Sequence, residues 1–327
     1  MSRKEQAKKL AYICLILILV LVMLFSGLQI LESTVLSRDQ EPVEQASSVT
    51  IERDGVEYFP RQDITVMLLM GIDEFGPVKA AEYGENDYEA DMVALAIFDE
   101  TNREIDLLCL NRDTMVEMPV LGLGGKNAGT KFGQLALSHT YGTGLKDSCE
   151  NTLKTVSDFL YGVQINYYVS MNMDAIGILN DAVGGVTVHV TDDFSNVDES
   201  IPMGEVKLNG QQAIHYVQVR KDVGDQKNIS RMERQKDYMQ GFLTAFRQAN
   251  QEENFVLETY EAVSEYIVTN FTTKSISSTL NHYADYALDE VITPEGENRL
   301  DGEYFAFCAD EEALDALILR LFYAPKK

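Results

Sequence analysis

The chain opens on an apolar run, Leu10 to Leu31, that contains no charged side chain. As a helix it spans roughly 33 Å at about 1.5 Å per residue, enough to cross a hydrocarbon core of ~30 Å. Arg3, Lys4, Lys8 and Lys9 precede it against Glu5, and Glu32 follows. That bias predicts a cytoplasmic tail over residues 1–9 and an extracytoplasmic chain beyond a single transmembrane helix. A cleaved signal peptide would carry a shorter apolar core and an A-x-A-like site, and none follows Phe25. Residues 32–48 are polar, include Pro42, and read as a linker, so a folded domain is expected over residues 49–327.

Within that domain the pattern changes period. Val49 to Tyr58 holds two short β-prone runs around Asp54-Gly55, a dipeptide suited to a two-residue hairpin turn. Thr65 to Met70, Met92 to Phe98 and Ile105 to Leu110 are apolar runs of strand length and predict the centre of a buried sheet. The link Asp99 to Glu104 is short enough only for an antiparallel hairpin. Asp91, before one strand of that hairpin, and Arg112, after the other, should therefore meet at one sheet edge. Asp73 joins them if the first strand is antiparallel to the second. The connection from Gly71 to Ala90 is long, acidic and rich in turn residues, a candidate functional loop.

Farther on, helix and strand patterns alternate. Ser148 to Leu160 has a helical stripe stopped by Gly162, Tyr167 to Met171 reads as a strand, and Asp174 to Ala182 as a helix ended by Gly184-Gly185. Val186 to Val190 is the next strand, Asn209 can cap a helix to about Arg220, and Arg231 to Ala249 reads as a longer helix. Helices near Phe255 to Thr269 and Ser275 to Ala287, a strand near Tyr304 to Cys308 and a helix near Glu311 to Phe322 complete the pattern. The fold class expected is α/β, a mixed central sheet flanked by helices, preceded by one transmembrane helix.

Composition narrows the chemistry. A net charge of -25 excludes a nucleic-acid binder, which needs a basic face. No Trp, only four His and no H-x-x-x-H pattern argue against a zinc protease. Outside the apolar span stand Cys109, Cys149 and Cys308, without metal-type spacing; one disulfide, Cys149 with Cys308 for example, is an open option. No G-x-S-x-G elbow is present.

Two groups remain. Asp73, Asp91 and Arg112 at one edge could hold Mg²⁺ through oxygen ligands, with substrate phosphate completing the shell. Taken singly they also suit turn and strand-edge positions. Arg220, Arg231, Arg234 and Gln235 bracket a polar loop; Arg231 and Gln235 share a helix face and could grip one oxyanion, whereas Arg234 points off that face. A solvated helix pairing its arginines with Glu233 and Asp237 is the plainer alternative. His139, His189, His215 and His282 lack partners at useful spacing and read as structural or surface residues.

The order of motifs is recognisable. Leu69-Met70-Gly71-Ile72-Asp73, Ala90-Asp91-Met92, Asn111-Arg112-Asp113-Thr114, Asp181-Ala182-Val183-Gly184-Gly185-Val186, Tyr216-Val217-Gln218-Val219-Arg220 and Arg231-Met232-Glu233-Arg234-Gln235 together resemble the LytR-CpsA-Psr (LCP) family. The resemblance covers residues 65–247 and leaves 250–327 as a C-terminal α/β extension. It implies an extracytoplasmic α-β-α transferase that moves an anionic glycopolymer, such as teichoic acid or capsule, from a polyprenyl pyrophosphate carrier to peptidoglycan. It also implies that Asp73 and Asp91 hold Mg²⁺ and that Arg112, Arg220, Arg231 and Gln235 bind the pyrophosphate, with Arg112 and Arg231 the catalytic pair.

Three positions depart from the family pattern, which usually has arginine at Glu89 and Gln218 and an acid at Asn228; Lys131-Phe132-Gly133 replaces its Lys-Ile-Asn segment. A lost charge-assisted contact to a buried oxyanion costs on the order of 1.5 to 3 kcal/mol, so a weakened or altered site is expected. A polyprenyl pyrophosphate hydrolase and a non-catalytic binder of polyprenyl phosphates or wall polymer are the alternatives.

Overall fold

The computed structural model describes residues 50–53, 55–219, 255–271, 286–301 and 304–326, together with 223, 234, 237, 238, 241, 242, 244–246, 248, 249, 282 and 283. The expected anchor and linker lie outside these residues. Among the described residues no helix is long and apolar enough to cross a membrane.

The predicted N-terminal hairpin forms from β1 (Ile51–Arg53) and β2 (Val56–Pro60), with Gly55 at φ 75°, a left-handed turn position. β3 (Ile64–Ile72), β4 (Ala90–Asp99) and β5 (Glu104–Leu110) follow as an antiparallel meander through the three apolar runs. A second hairpin, β6 (Met115–Leu121) and β7 (Asn127–Gln134), leads into a 3₁₀ turn over Leu135–Tyr141. Then come α1 (Lys146–Phe159), β8 (Tyr167–Asn172), α2 (Asp174–Ala182), the β9 (Val186–Val190) and β10 (Gly204–Leu208) pair, and α3 (Gly210–Gln218). The described positions between 234 and 249 are helical. α4 (Phe255–Val263), β11 (Ile267–Thr269), β12 (Ala287–Ile292), β13 (Gly296–Asp301), β14 (Tyr304–Ala309), α5 (Glu311–Phe322) and β15 (Tyr323–Pro325) close the chain.

The central sheet has the order β11-β8-β3-β4-β5-β12. It is mixed: β8 lies parallel to β3 and β12 parallel to β5, while the other pairs are antiparallel. Because strand side chains alternate, β3 sends Met67 and Leu69 to one face and Val66, Leu68 and Met70 to the other. The first face packs against α2, α3 and the helical positions at Tyr238, Phe242 and Phe246; the second packs against α1 and α5 through Leu153, Val156, Leu314 and Ile318. Burial on both faces explains why these strands are continuous apolar runs rather than alternating ones.

Two expected helices are corrected. The one from Phe255 to Thr269 stops at Val263, passes through a 3₁₀ turn at Ser264–Tyr266, and becomes β11. Ile267, Val268 and Thr269 are β-branched and find the free edge of β8, which overrides the helical pattern. The second, expected from Ser275 to Ala287, is corrected only at its end: His282 and Tyr283 are helical as expected, Ala287 begins β12, and residues 272–281, 284 and 285 lie outside the described ones. The glycine exit from α2 is as predicted: Gly184 and Gly185 have φ 78° and 94°, and their amides donate to the Asp181 and Asn180 carbonyls. Cys149 and Cys308 do not pair with each other; neither forms a disulfide.

Candidate functional site

The β3–β4 pairing brings the ends of the meander together as the hairpin argument required. Gly71 pairs with Met92 but Ile72 pairs with Ala90, so Asp91 is an extra residue in a β-bulge. The consequence is visible in the packing, where Ala90 and Val93 fall on one face and Met92 and Ala94 on the other. A bulge re-aims its side chain. Asp91 is thereby directed to the sheet edge, and its carboxylate accepts from Arg112 Nη1.

Arg112 is held from below by its own turn. Asn111 Oδ1 accepts from the Asp113 amide at 2.9 Å, the Asn111 carbonyl accepts from Thr114 Oγ1 at 2.6 Å, and the Arg112 carbonyl accepts from the Ala136 amide at 3.0 Å. The guanidinium then faces three carboxylates. Besides Asp91, Nη2 donates to Glu89, and Nε stands 3.7 Å from Asp113. The side chains of Arg112, Glu89 and Asp91 are 32%, 37% and 35% exposed, partly desolvated yet open to a ligand.

Asp73 completes the edge from the end of β3; its amide donates to the Glu89 carbonyl at 3.4 Å and it is exposed. Burial raises the Asp91 carboxyl above its usual range, and the charges of Asp73 and Glu89 raise it further against the pull of Arg112. Burial also raises Asp113, with Glu89 adding to the shift and Arg112 opposing it. For Arg112, burial works against the charge but Asp91, Glu89 and Asp113 outweigh it, so the guanidinium pKa rises. Such an excess of negative charge around one arginine fits a cation.

Among the described residues no three His, Cys, Asp or Glu side chains are arranged to hold a metal ion. Two carboxylates, Asp73 and Asp91, match the donor set of Mg²⁺, which keeps several waters and takes further oxygens from substrate phosphate.

The long loop between β3 and β4 is tied down at many points, which sequence reasoning missed. Val78 and Ala81 amides donate to the Glu265 and Thr143 carbonyls at 2.7 and 2.8 Å. Asn172 Nδ2 donates to the Gly76 carbonyl, and the Gly76 amide donates to Asp174. Near the site, buried Asn86 donates to the His139 carbonyl at 2.9 Å, and His139 Nδ1 lies 2.7 Å from the Tyr88 carbonyl. Burial holds the His139 pKa down, so a neutral ring donates this bond. His139 is thus structural, as expected, but it anchors the residue next to Glu89.

Of the second group, Arg220, Arg231 and Gln235 lie outside the described residues. Arg234 is described and is a structural clamp, its side chain only 2% exposed. It donates to the Tyr216 carbonyl at 3.0 Å, to the Val219 carbonyl, and to Asp192 at 2.5 Å, and it lies 5.3 Å over the Phe194 ring. It therefore fixes the chain immediately before Arg220. No partner at helical spacing could have revealed this, because Asp192 is remote in sequence.

The sequence profile of the LytR_cpsA_psr family matches residues 27–320. This chain belongs to the LytR-CpsA-Psr family. The LytR-CpsA-Psr chain is 25% identical over 285 residues to a protein of Oceanobacillus iheyensis named polyisoprenyl-teichoic acid–peptidoglycan teichoic acid transferase TagU, covering 85% of this chain and 79% of that one. In fold it is similar to protein gbs0355 from Streptococcus agalactiae, with a TM-score of 0.62, 23% identity, and 79% and 86% of the two chains covered. It is also similar to TagT bound to LIIa-WTA, with a TM-score of 0.58, 20% identity, and 85% and 95% covered. The sheet flanked by helices is thus the architecture of LytR-CpsA-Psr structures.

Proposed function

We propose that this protein transfers a phosphate-linked anionic glycopolymer from a polyprenyl pyrophosphate carrier to peptidoglycan, as a membrane-anchored enzyme of cell-wall assembly. The observation that carries the reading is the convergence of Asp73, Asp91 and Arg112 at one sheet edge in a member of a family whose relatives are named teichoic acid transferases. Asp73 and Asp91 would hold Mg²⁺, and bound there it supplies charge neutralisation at phosphate oxygens. Arg112, with Arg220, Arg231 and Gln235, would grip the pyrophosphate, where a planar guanidinium suits two oxygens at once.

In the reaction an acceptor hydroxyl oxygen attacks the polymer-side phosphorus. A P–O bond forms, the phosphoanhydride bond breaks, polyprenyl phosphate leaves, and the hydroxyl proton passes to water. Charge grows on the bridging and leaving oxygens, and the task of Arg112 is to stabilise it from a position already fixed by the Asn111 turn. Leu10 to Leu31 would keep the domain on the extracytoplasmic face, beside a donor confined to the same membrane.

The test is to incubate the full chain in detergent with a lipid-pyrophosphate-linked sugar, Mg²⁺ and peptidoglycan fragments. Covalent product that is lost in Asp73→Ala and on chelation of the metal is expected. Release of lipid phosphate without coupled product would instead assign a hydrolase, and lipid binding without turnover a binder.

A further inference from the structure

Each terminal nitrogen of Arg112 already faces a carboxylate in this structure. Asp91 accepts from Nη1, Glu89 accepts from Nη2, and Asp113 stands 3.7 Å from Nε. An anion that is to be gripped by both terminal nitrogens as a fork must therefore displace a carboxylate that is already there. The three carboxylates differ in how firmly they are held. Asp113 also accepts from Gln134 Nε2 at 2.8 Å and sits inside the Asn111 turn. Asp91 is set by the β-bulge and stands next to Asp73. Glu89 precedes β4, is 37% exposed, and has Arg112 as its side-chain partner among the described residues. It alone can swing into water at little cost.

We propose that Glu89 is an internal competitor for Arg112, a resting counter-anion that a phosphate group must displace, and that it thereby sets the affinity of this edge for phosphate. The proposal rests on the reading that Arg112 binds the donor's phosphates. Glu89 does not touch the reacting atoms; it is a positioning residue that acts through Arg112. His139 and Asn86, which fix the Tyr88 segment, keep the carboxylate within reach of the guanidinium.

A double-mutant cycle tests this, with inorganic pyrophosphate as the probe and calorimetry on the full chain in detergent. Wild type, Glu89→Gln, Arg112→Gln and the double variant are titrated in the presence of Mg²⁺, with circular dichroism and thermal midpoints checking the fold. Glu89→Gln should tighten pyrophosphate binding by about fivefold, the upper range for releasing a part-exposed ion pair. The same change in the Arg112→Gln background should have no effect. An equal gain in both backgrounds would mean a general charge effect and overturns the proposal, as does no gain in either. In those two cases weaker binding by Arg112→Gln alone leaves the phosphate-site reading standing. If Arg112→Gln binds pyrophosphate as wild type does, both fall.

Discussion

Two arginines show how differently one residue type can be used. Arg112 is one-third exposed and its partners can be exchanged, whereas Arg234 is buried and its partners are fixed backbone carbonyls and Asp192. Arg112→Lys keeps a positive charge but loses the planar fork, so transfer measured with a lipid-pyrophosphate donor should fall by roughly ten- to a hundredfold, the equivalent of about 1.5 to 3 kcal/mol. Its stability should change little. Arg234→Met should do the reverse of that at first sight: it leaves Asp192 and two carbonyls without their donor, and urea unfolding should show a loss of about 3 to 5 kcal/mol. Both sets of contacts were unequally legible in sequence. Asp91 and Arg112 followed from hairpin length, since a short turn forces strand ends to coincide. The Arg234 contacts depend on a residue over forty positions away, and nothing in helical periodicity reports that. Glu89 could be noticed as an unexpected residue, but its bond to Arg112 is a matter of side-chain reach.

Elements show the same division between local and distant causes. α3 starts where Asn209 predicted it, through a reciprocal pair in which Asn209 Oδ1 accepts from the Gln212 amide at 3.0 Å and Gln212 Oε1 accepts from the Asn209 amide at 2.9 Å. Asn209→Ala should cost about 1 kcal/mol, read as a lower thermal midpoint, and Asn209→Ser should recover most of it. An acid-sensitive tie holds the entry to β3. Arg61 donates to Asp63 at 2.9 Å and to Asp99 at 2.7 Å, and the Asp99 side chain also accepts from the Thr101 and Asn102 amides in the β4–β5 turn. The Arg61 hydrogen bond, outweighing a small burial effect, lowers Asp63 from 3.8 to about 2. A depressed carboxyl pKa contributes stability that is complete above the ordinary value and disappears as pH falls through the folded value. Acid unfolding between pH 4 and 2 should therefore flatten in Asp63→Asn, while stability near neutrality falls. Of the strands that sequence missed, β7, β10 and β13 are exposed or half-polar, so their apolar signal is weak, and β6 is apolar but carries Pro119, which argues against a strand. β11 and β12 were missed for another reason, since only the sheet edge they join makes them strands.

At the scale of the molecule, the first and last described elements form one sheet. β15 pairs with β2, opposing Tyr323 to Pro60 and Pro325 to Tyr58, and β2 pairs with β1. The Lys326 amide donates a hydrogen bond to the Glu57 carbonyl at 2.8 Å, and its ammonium pairs with the Glu57 side chain. Deleting residues 323–327 should lower the thermal midpoint and raise amide exchange in β1 and β2, while β4 and β5, buried in the sheet centre, keep their protection. Sequence pattern gave no hint of this closure, because a three-residue strand has no periodicity to read. It has a practical geometric outcome. Ile51, in the first described strand, and Pro325, in the last, are neighbours across Tyr58, whereas Asp73 stands at the opposite end of β3 from Ile64. On the proposed topology, a fluorophore attached after Lys327 would report distance from the bilayer on the tether side, and one placed at exposed Phe75, two residues from Asp73, would report the elevation of the proposed phosphate-binding edge above it.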